Sequence, residues 1–262
     1  MIVDNTSKLK DILVFKPNTY YKFVVLLREK DGKTLLKSYN KKELIVRQWL
    51  VDSQEKLDEM LPDMITFANL FGGRLYVTTD RKSVYKTLFY MQDMINAYIK
   101  QMFCGNRTEI SVKQLNKLLA SASSSSECTD GDKKWLYDVD SKDKMWQEVL
   151  EESLKGKDFV KFSTKNGFHY IVPRTYDAHK LLDDTKWFYD EKNIDFPIEV
   201  KDNGLALVYY NDEYYNEWVK ETTEQIVNLV NNSMKRRVDK INDLFPFMKG
   251  DTFIQELLKD IV

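Results

Sequence analysis

The chain has 262 residues, 43% of them hydrophobic, enough to bury a substantial core as one large domain or two small ones. Its 40 basic and 41 acidic residues nearly cancel, which excludes the broad basic excess of a protein that coats nucleic acid and confines any such contact to a local patch. Cys104 and Cys128 are the only cysteines and there are two histidines, which rules out an ordinary four-ligand zinc finger, argues against a disulfide scaffold and leaves reduced thiols as the expectation. The first residues lack the basic-then-apolar order of a secretion signal, and no apolar run approaches the roughly 18 residues of a membrane span. The expectation is a cytoplasmic protein with no membrane partner.

Residues 22–29 and 34–38 flank Lys30-Asp31-Gly32-Lys33, an Asp-Gly hairpin signal, and Leu44 to Val51 predicts a third strand. Asp52 and Glu55 have the spacing of a capping box. Leu57, Met60, Leu61, Met64, Ile65 and Ala68 follow at helical intervals, with Pro62 as a kink and Gly72-Gly73 as the stop. Arg74 to Thr78 predicts another strand, and Asp80 caps a helix whose apolar stripe is Val84, Leu88, Met91, Ile95 and Tyr98. Arg81 and Lys82, at that helix start, are weak candidates for phosphate, with solvated side chains the commoner outcome. Residues 1–119 therefore form an N-terminal α/β module.

Over 120–133 apolar residues almost vanish while serines accumulate, which predicts a flexible linker or exposed loop and a boundary between two halves. Trp135-Leu136-Tyr137-Asp138-Val139-Asp140 then ends an apolar run with two carboxylates one residue apart. On a strand, Leu136, Asp138 and Asp140 share one face and Trp135, Tyr137 and Val139 the other. Two convergent acids offer hard oxygen ligands to a divalent metal; a strand running into a solvated acidic turn would look the same. Met145, Val149 and Leu154 predict a helix, Asp158 to Ser163 a strand, Lys165-Asn166-Gly167 a turn, and Phe168 to Val172 the returning strand. A second Asn-Gly turn, Asn203-Gly204, separates Ile198-Glu199-Val200 from Leu205 to Tyr210 and predicts a second hairpin. In the tail, Ile226, Val230, Met234, Val238 and Ile241 recur at helical spacing, with Lys235, Arg236, Arg237 and Lys240 on the remaining surface.

Three segments stand in order: Tyr137-Asp138-Val139-Asp140, then Ser163-Thr164-Lys165-Asn166-Gly167-Phe168-His169, then Ile198-Glu199-Val200-Lys201-Asp202-Asn203. This arrangement resembles the archaeo-eukaryotic primase (primase-polymerase) superfamily, with its strand-borne Asp-x-Asp, a small-residue turn into a strand carrying His, and a third strand carrying an acid. The resemblance covers roughly residues 134 to 210. It implies an α/β (α+β) protein in which an RRM-like catalytic sheet over 134–212 follows the N-terminal module and precedes a helical extension over 213–262. It also implies that Asp138 and Asp140 bind two Mg or Mn ions, that Glu199 is the third carboxylate, and that His169 meets the phosphates of an incoming nucleotide. The family more commonly has Asp at the third position, and Asp195 and Asp202 compete with Glu199 for it. Ser163 and Lys165 would add a hydroxyl and a charge to the phosphates, and Arg174 is a candidate for template or phosphate contact. His179 lacks a partner at metal spacing and is read as structural or exposed.

The activity implied is nucleotidyl transfer from NTP or dNTP to a nucleic-acid chain, with template and primer as partners and a helicase or other replication proteins supplied separately. A metal-dependent nuclease or phosphodiesterase could use the same carboxylates, and a non-catalytic replication subunit could use the same fold.

Overall fold

The computed structural model describes residues 1–31, 42–105, 112–131, 133–190 and 196–214. The chain divides into two compact units, Met1–Tyr215 and Asn216–Val262, and all described residues belong to the first. The C-terminal helix expected over 226–241 and the strand expected over 34–38 lie outside the described residues.

The longest strand of the larger sheet is β2 (Thr19–Arg28), buried along nine of its ten residues. Alternation sends Tyr21, Phe23 and Val25 to one face and Lys22, Val24, Leu26 and Arg28 to the other. The sheet also contains β1 (Ile2–Asp4), β3 (Glu43–Val51), β4 (Arg74–Thr78) and β10 (Leu205–Asn211), in the order β1-β10-β4-β2-β3, with the short β5 (Lys82–Ser83) paired to β2. Every pairing is antiparallel.

Helix α1 (Leu9–Ile12) is a single turn. Helix α2 (Gln54–Phe71) carries Leu57, Met64 and Ala68 into the core. Its cap is Ser53, whose hydroxyl accepts the Lys56 N–H at 3.2 Å, one residue later than the Asp52–Glu55 reading. Pro62 is accommodated inside the helix, and Gly72 ends it in a left-handed turn (φ 57°). Helix α3 (Val84–Phe103) is capped by Ser83, because Asp80 is engaged elsewhere, accepting the Lys134 N–H at 2.8 Å. Thr87 takes an inward position, bonded to Ser83 O and the Tyr20 hydroxyl. The expected stripe is thereby split: Met91 and Tyr98 are half-buried, while Leu88 and Ile95 face outward with Tyr85, Phe89 and Phe103.

The serine-rich stretch is not a free linker. Helix α4 (Val112–Ser124) runs into it, a 3-10 turn follows at Ser126–Cys128, and Ser123 and Cys128 are fully buried. The reason is a set of buried lysines that need acceptors. Lys22 donates to Ala120 O and Ser124 Oγ; Lys82 donates to Ser125 O, Thr129 Oγ1 and Asn203 Oδ1. Arg81 is bound to Val14 O and Asp130, so neither Arg81 nor Lys82 is placed to receive a phosphate.

The smaller sheet has β6 (Lys134–Val139), β7 (Val160–Ser163), β8 (Phe168–Pro173) and β9 (Ile198–Asp202) in the order β7-β8-β6-β9, all antiparallel. With α5 (Lys144–Ser153) and α6 (Ala178–Asp190) inserted after β6 and β8, the connectivity is β-α-β-β-α-β. Trp135, Tyr137 and Val139 pack in one cluster with Trp146 and Leu150 of α5 and with Ala178 of α6. Leu136, Phe162 and Ile171, from the opposite face, join the cluster that also holds α1, α2 and the Tyr21–Phe23–Val25 face of β2.

The second expected hairpin is corrected. After β9 pairs with β6, the chain turns at Asn203 (φ 52°) and passes to the other sheet, where β10 lies between β1 and β4. Gly204 permits this passage, since a Cβ there would sit 2.7 Å from Leu136 Cβ. The last strand of the expected 134–212 core is therefore an interior strand of the N-terminal sheet, and the two halves are one body. The fold is mixed α/β with two antiparallel sheets, and among the described residues no helix is long and apolar enough to cross a membrane.

Candidate active-site cleft

Asp138 lies on β6, the strand with a partner on each side, and the register sets it directly opposite His169 of β8 and Glu199 of β9. Directly opposed residues share a face, so three residues far apart in sequence form one row. Lys201, opposite Leu136, follows on that face. Asp140 extends the row just beyond the strand; its N–H donates to Pro197 O at 2.9 Å and its side chain is exposed. Thr164 and Asn166 complete this wall of a cleft of about 430 Å³, and Arg28, Arg74, Tyr76 and Leu207 of the larger sheet line the opposite side.

Both carboxylate oxygens of Asp138 are engaged. Oδ1 is 3.3 Å from His169 Nε2, and Oδ2 is bound by the Lys201 ammonium. Burial would raise the Asp138 carboxyl, but hydrogen bonds and charge from His169 and Lys201 outweigh it and hold the group far below the ordinary carboxylate range. His169 is fixed from behind: its Nδ1 accepts the Leu207 N–H at 3.3 Å, which places the ring proton on Nε2, facing Asp138. That N–H is available because β1 pairs with β10 only at Tyr209, Tyr210 and Asn211, leaving the edge at Leu207 open.

The basic wall is neutralised by its own carboxylates. Arg74, 5% exposed, makes a bidentate pair with Asp31 at 2.6 and 2.8 Å. Burial opposes the Arg74 charge, but Asp31 more than compensates and the guanidinium is raised; burial would lift Asp31, yet Arg74 and Lys165 hold it low. Arg28 pairs with Glu43 at 2.8 Å.

The remaining candidates separate clearly. Lys165 approaches Asp31 Oδ1 and the Tyr210 hydroxyl, each at 3.4 Å, so it supports the basic wall from its rim. Ser163 opposes Phe168, one position out of phase with the Phe162–His169 pair, and so points away from the cleft; its backbone is held by Asn5. Thr164 takes the place expected for Ser163. Arg174 lies beyond the far end of β8, on the order of 15 Å along the strand from His169, with its guanidinium 3.9 Å from the Trp135 ring centroid and 3.1 Å from Asp202. Asp202 opposes Trp135, outside the acidic row, and Asp195 lies outside the described residues. Of the two described competitors, Glu199 is the one in the row. His179 makes an edge contact with Trp135.

Among the described residues no group of three His, Cys, Asp or Glu side chains is placed so that it could hold a metal ion. Asp138, Asp140 and Glu199 nevertheless supply the oxygen donors that a hard divalent cation takes, and Lys201, which also lies 3.7 Å from Glu199, already places positive charge among them. By donor chemistry, though not by present placement, the set fits such an ion. Sequence reasoning missed Arg28, Arg74 and Lys201. Lys201 was accessible from strand alternation, two places after Glu199; the arginines were not, because the packing of one sheet on another has no local signal.

The chain matches no protein-family model, and no curated protein matches it.

Proposed function

We propose that the cleft is the nucleotidyl-transfer site of a metal-dependent primase-polymerase. The observation that carries the reading is the row Asp138–His169–Glu199, with Asp140 at its end, facing a wall of arginines. Acids that can hold a cation on one side and guanidinium groups on the other suit a nucleoside triphosphate with its metal. The β-α-β-β-α-β connectivity, with the row at its centre, supports an RRM-like catalytic sheet of the primase-polymerase kind.

In this reading Asp138, Asp140 and Glu199 would hold one or two Mg or Mn ions. The chemistry bound metal supplies is charge neutralisation at the attacking and leaving oxygens as a 3′-hydroxyl, or an initiating nucleotide, attacks the α-phosphate and pyrophosphate departs. Arg74 and Arg28, each already paired with a carboxylate, would offer the phosphates hydrogen-bond donors across the cleft and not a free charge. His169 fixes the orientation of Asp138 through Nε2–H, a positioning role in place of the direct phosphate contact implied by the resemblance. Template and primer would run past the open side of the cleft.

The test is extension of a labelled primer on a template by the full-length protein with Mn or Mg, in separate NTP and dNTP pools. Asp138→Asn and Asp140→Asn serve as controls, since Asp138→Ala would leave two donors without an acceptor. Metal-dependent extension lost in both controls is expected. Degradation of the template without extension would replace the reading by a nuclease. A non-catalytic subunit has one observation in its favour, the internal neutralisation of Asp138 by Lys201, and retention of template with no turnover would establish it.

A further inference from the structure

We infer that Lys201 is a built-in counter-ion for Asp138, displaced when a divalent cation binds and then free to take an anionic ligand such as a di- or triphosphate group. This rests on the metal site proposed above and adds a coupling that the site alone would not have.

Asp138 Oδ1 holds the His169 N–H and Oδ2 the Lys201 ammonium, so a cation that uses this carboxylate is brought against the charge of the lysine. His169 is poorly placed to leave: it is 7% exposed and anchored through Nδ1 to Leu207 N on the other sheet. Lys201 is well placed: its side chain is 43% exposed, and its ammonium ends a flexible four-carbon stem. An ammonium and a divalent ion repel one another on one carboxylate, so the entering cation drives the lysine out. Glu199, its other neighbour, cannot hold it if that carboxylate also serves the metal.

The released ammonium is the cation of the cleft that is left without a carboxylate. Among the described residues lining the cleft, the other cations are already neutralised, Arg28 by Glu43 and Arg74 by Asp31. Lys201 alone gains an unpaired charge when metal enters, and an anion in the same cleft is its natural partner. Metal and polyphosphate therefore promote each other's binding, and by linkage the effect is equal in both directions. Without metal, Lys201 shields Asp138 and the cleft binds anions weakly.

The test measures binding, not turnover, on the full-length protein. Mn affinity without nucleotide is followed by electron paramagnetic resonance for wild type, Lys201→Met, Lys201→Gln and Asp138→Asn, each checked for folding by its thermal melt. The methionine and glutamine variants are expected to bind Mn at least tenfold more tightly, having no cation to displace, and Asp138→Asn to lose the site. Equal or weaker Mn binding in the folded Lys201 variants overturns the counter-ion role while leaving the metal site intact; Mn binding unchanged in Asp138→Asn overturns the metal site itself. Pyrophosphate affinity in EDTA tests the second half. Asp138→Asn weakens the hold on Lys201 and should bind pyrophosphate several-fold more tightly than wild type, and Asp138→Asn/Lys201→Met should lose the gain. A gain that survives in the double variant would show that removal of the aspartate charge alone is responsible, and would overturn the release of Lys201 to anions.

Discussion

Gly167 offers the sharpest link between fold and cleft. Its φ does not require glycine, but the space around it does: a Cβ would lie 1.9 Å from Val139 O, 2.8 Å from Ser141 N and 2.9 Å from Ser141 O. The backbone it would strike is the one that bears Asp140, and an ordinary carbon–oxygen contact of about 3.4 Å leaves roughly 1.5 Å to be relieved. Neither side can move freely. Val139 is paired to both Phe168 and Ile198, and the turn is closed by Thr164 N–H to Gly167 O (2.8 Å) and Gly167 N–H to Thr164 Oγ1 (2.9 Å). Loss of those two bonds at about 1 kcal/mol each, with overpacking strain of similar size, gives Gly167→Ala a cost of about 3–4 kcal/mol. Gly156→Ala is the control: its φ is +79° but nothing lies within 4 Å, so only the left-handed backbone is penalised, by about 1 kcal/mol. Urea denaturation of the two variants separates them. A Gly167→Ala protein that loses no more stability than Gly156→Ala would refute the close approach of the turn to Asp140.

Two further outcomes follow from groups away from the acidic row. Lys22 and Lys82, 2% and 0% exposed, are each pushed down to about 8 by burial, whereas an unfolded lysine holds its proton to about 10.5. Between those values the unfolded chain binds more protons, so each lysine adds stability as pH rises, by up to about 1.4 kcal/mol per pH unit. Lys22→Met should therefore show a shallower rise of urea midpoint than wild type from pH 8 to 9.5, and parallel curves would refute the burial argument. Arg174→Ala should lose about 1 kcal/mol of stability with its Trp135 stacking, yet bind Mn and nucleotide as wild type does; a calorimetric loss of nucleotide affinity would return Arg174 to the site.

The members of the acidic row were legible through the resemblance of three segments, in order, to the primase-polymerase pattern, while alternation alone put Asp138 and Asp140 on one face. That Asp138, His169 and Glu199 lie directly opposite one another is set by the register of β8 and β9 on β6, which no local signal carries. Asn203-Gly204 shows where such reading stops: the turn chemistry is real, but a turn specifies local reversal and not the sheet that receives the next strand. The serine-rich stretch misled for a related reason. Polar composition predicts solvent contact unless something buried demands hydrogen-bond acceptors, and Lys22 and Lys82, which lie 98 and 43 residues before Ala120 and Ser125, make that demand.

The passage of β10 into the larger sheet also ties the two walls of the cleft together. Asn5, 1% exposed, donates to Ser163 O on β7 and to Leu207 O on β10, and accepts from Ser163 N. One side chain thus clamps an edge of the acidic sheet to the open edge of the basic one, and the neighbouring Leu207 N–H holds His169 across the same junction. Had β9 and β10 formed a hairpin within one sheet, the carboxylates and the arginines would have belonged to modules free to move apart. Because β10 belongs to the sheet of Arg74 while touching the sheet of Asp138, the two walls are tied by hydrogen bonds between backbone and two buried side chains, Asn5 and His169, which is the preorganisation that charge stabilisation in such a cleft would require.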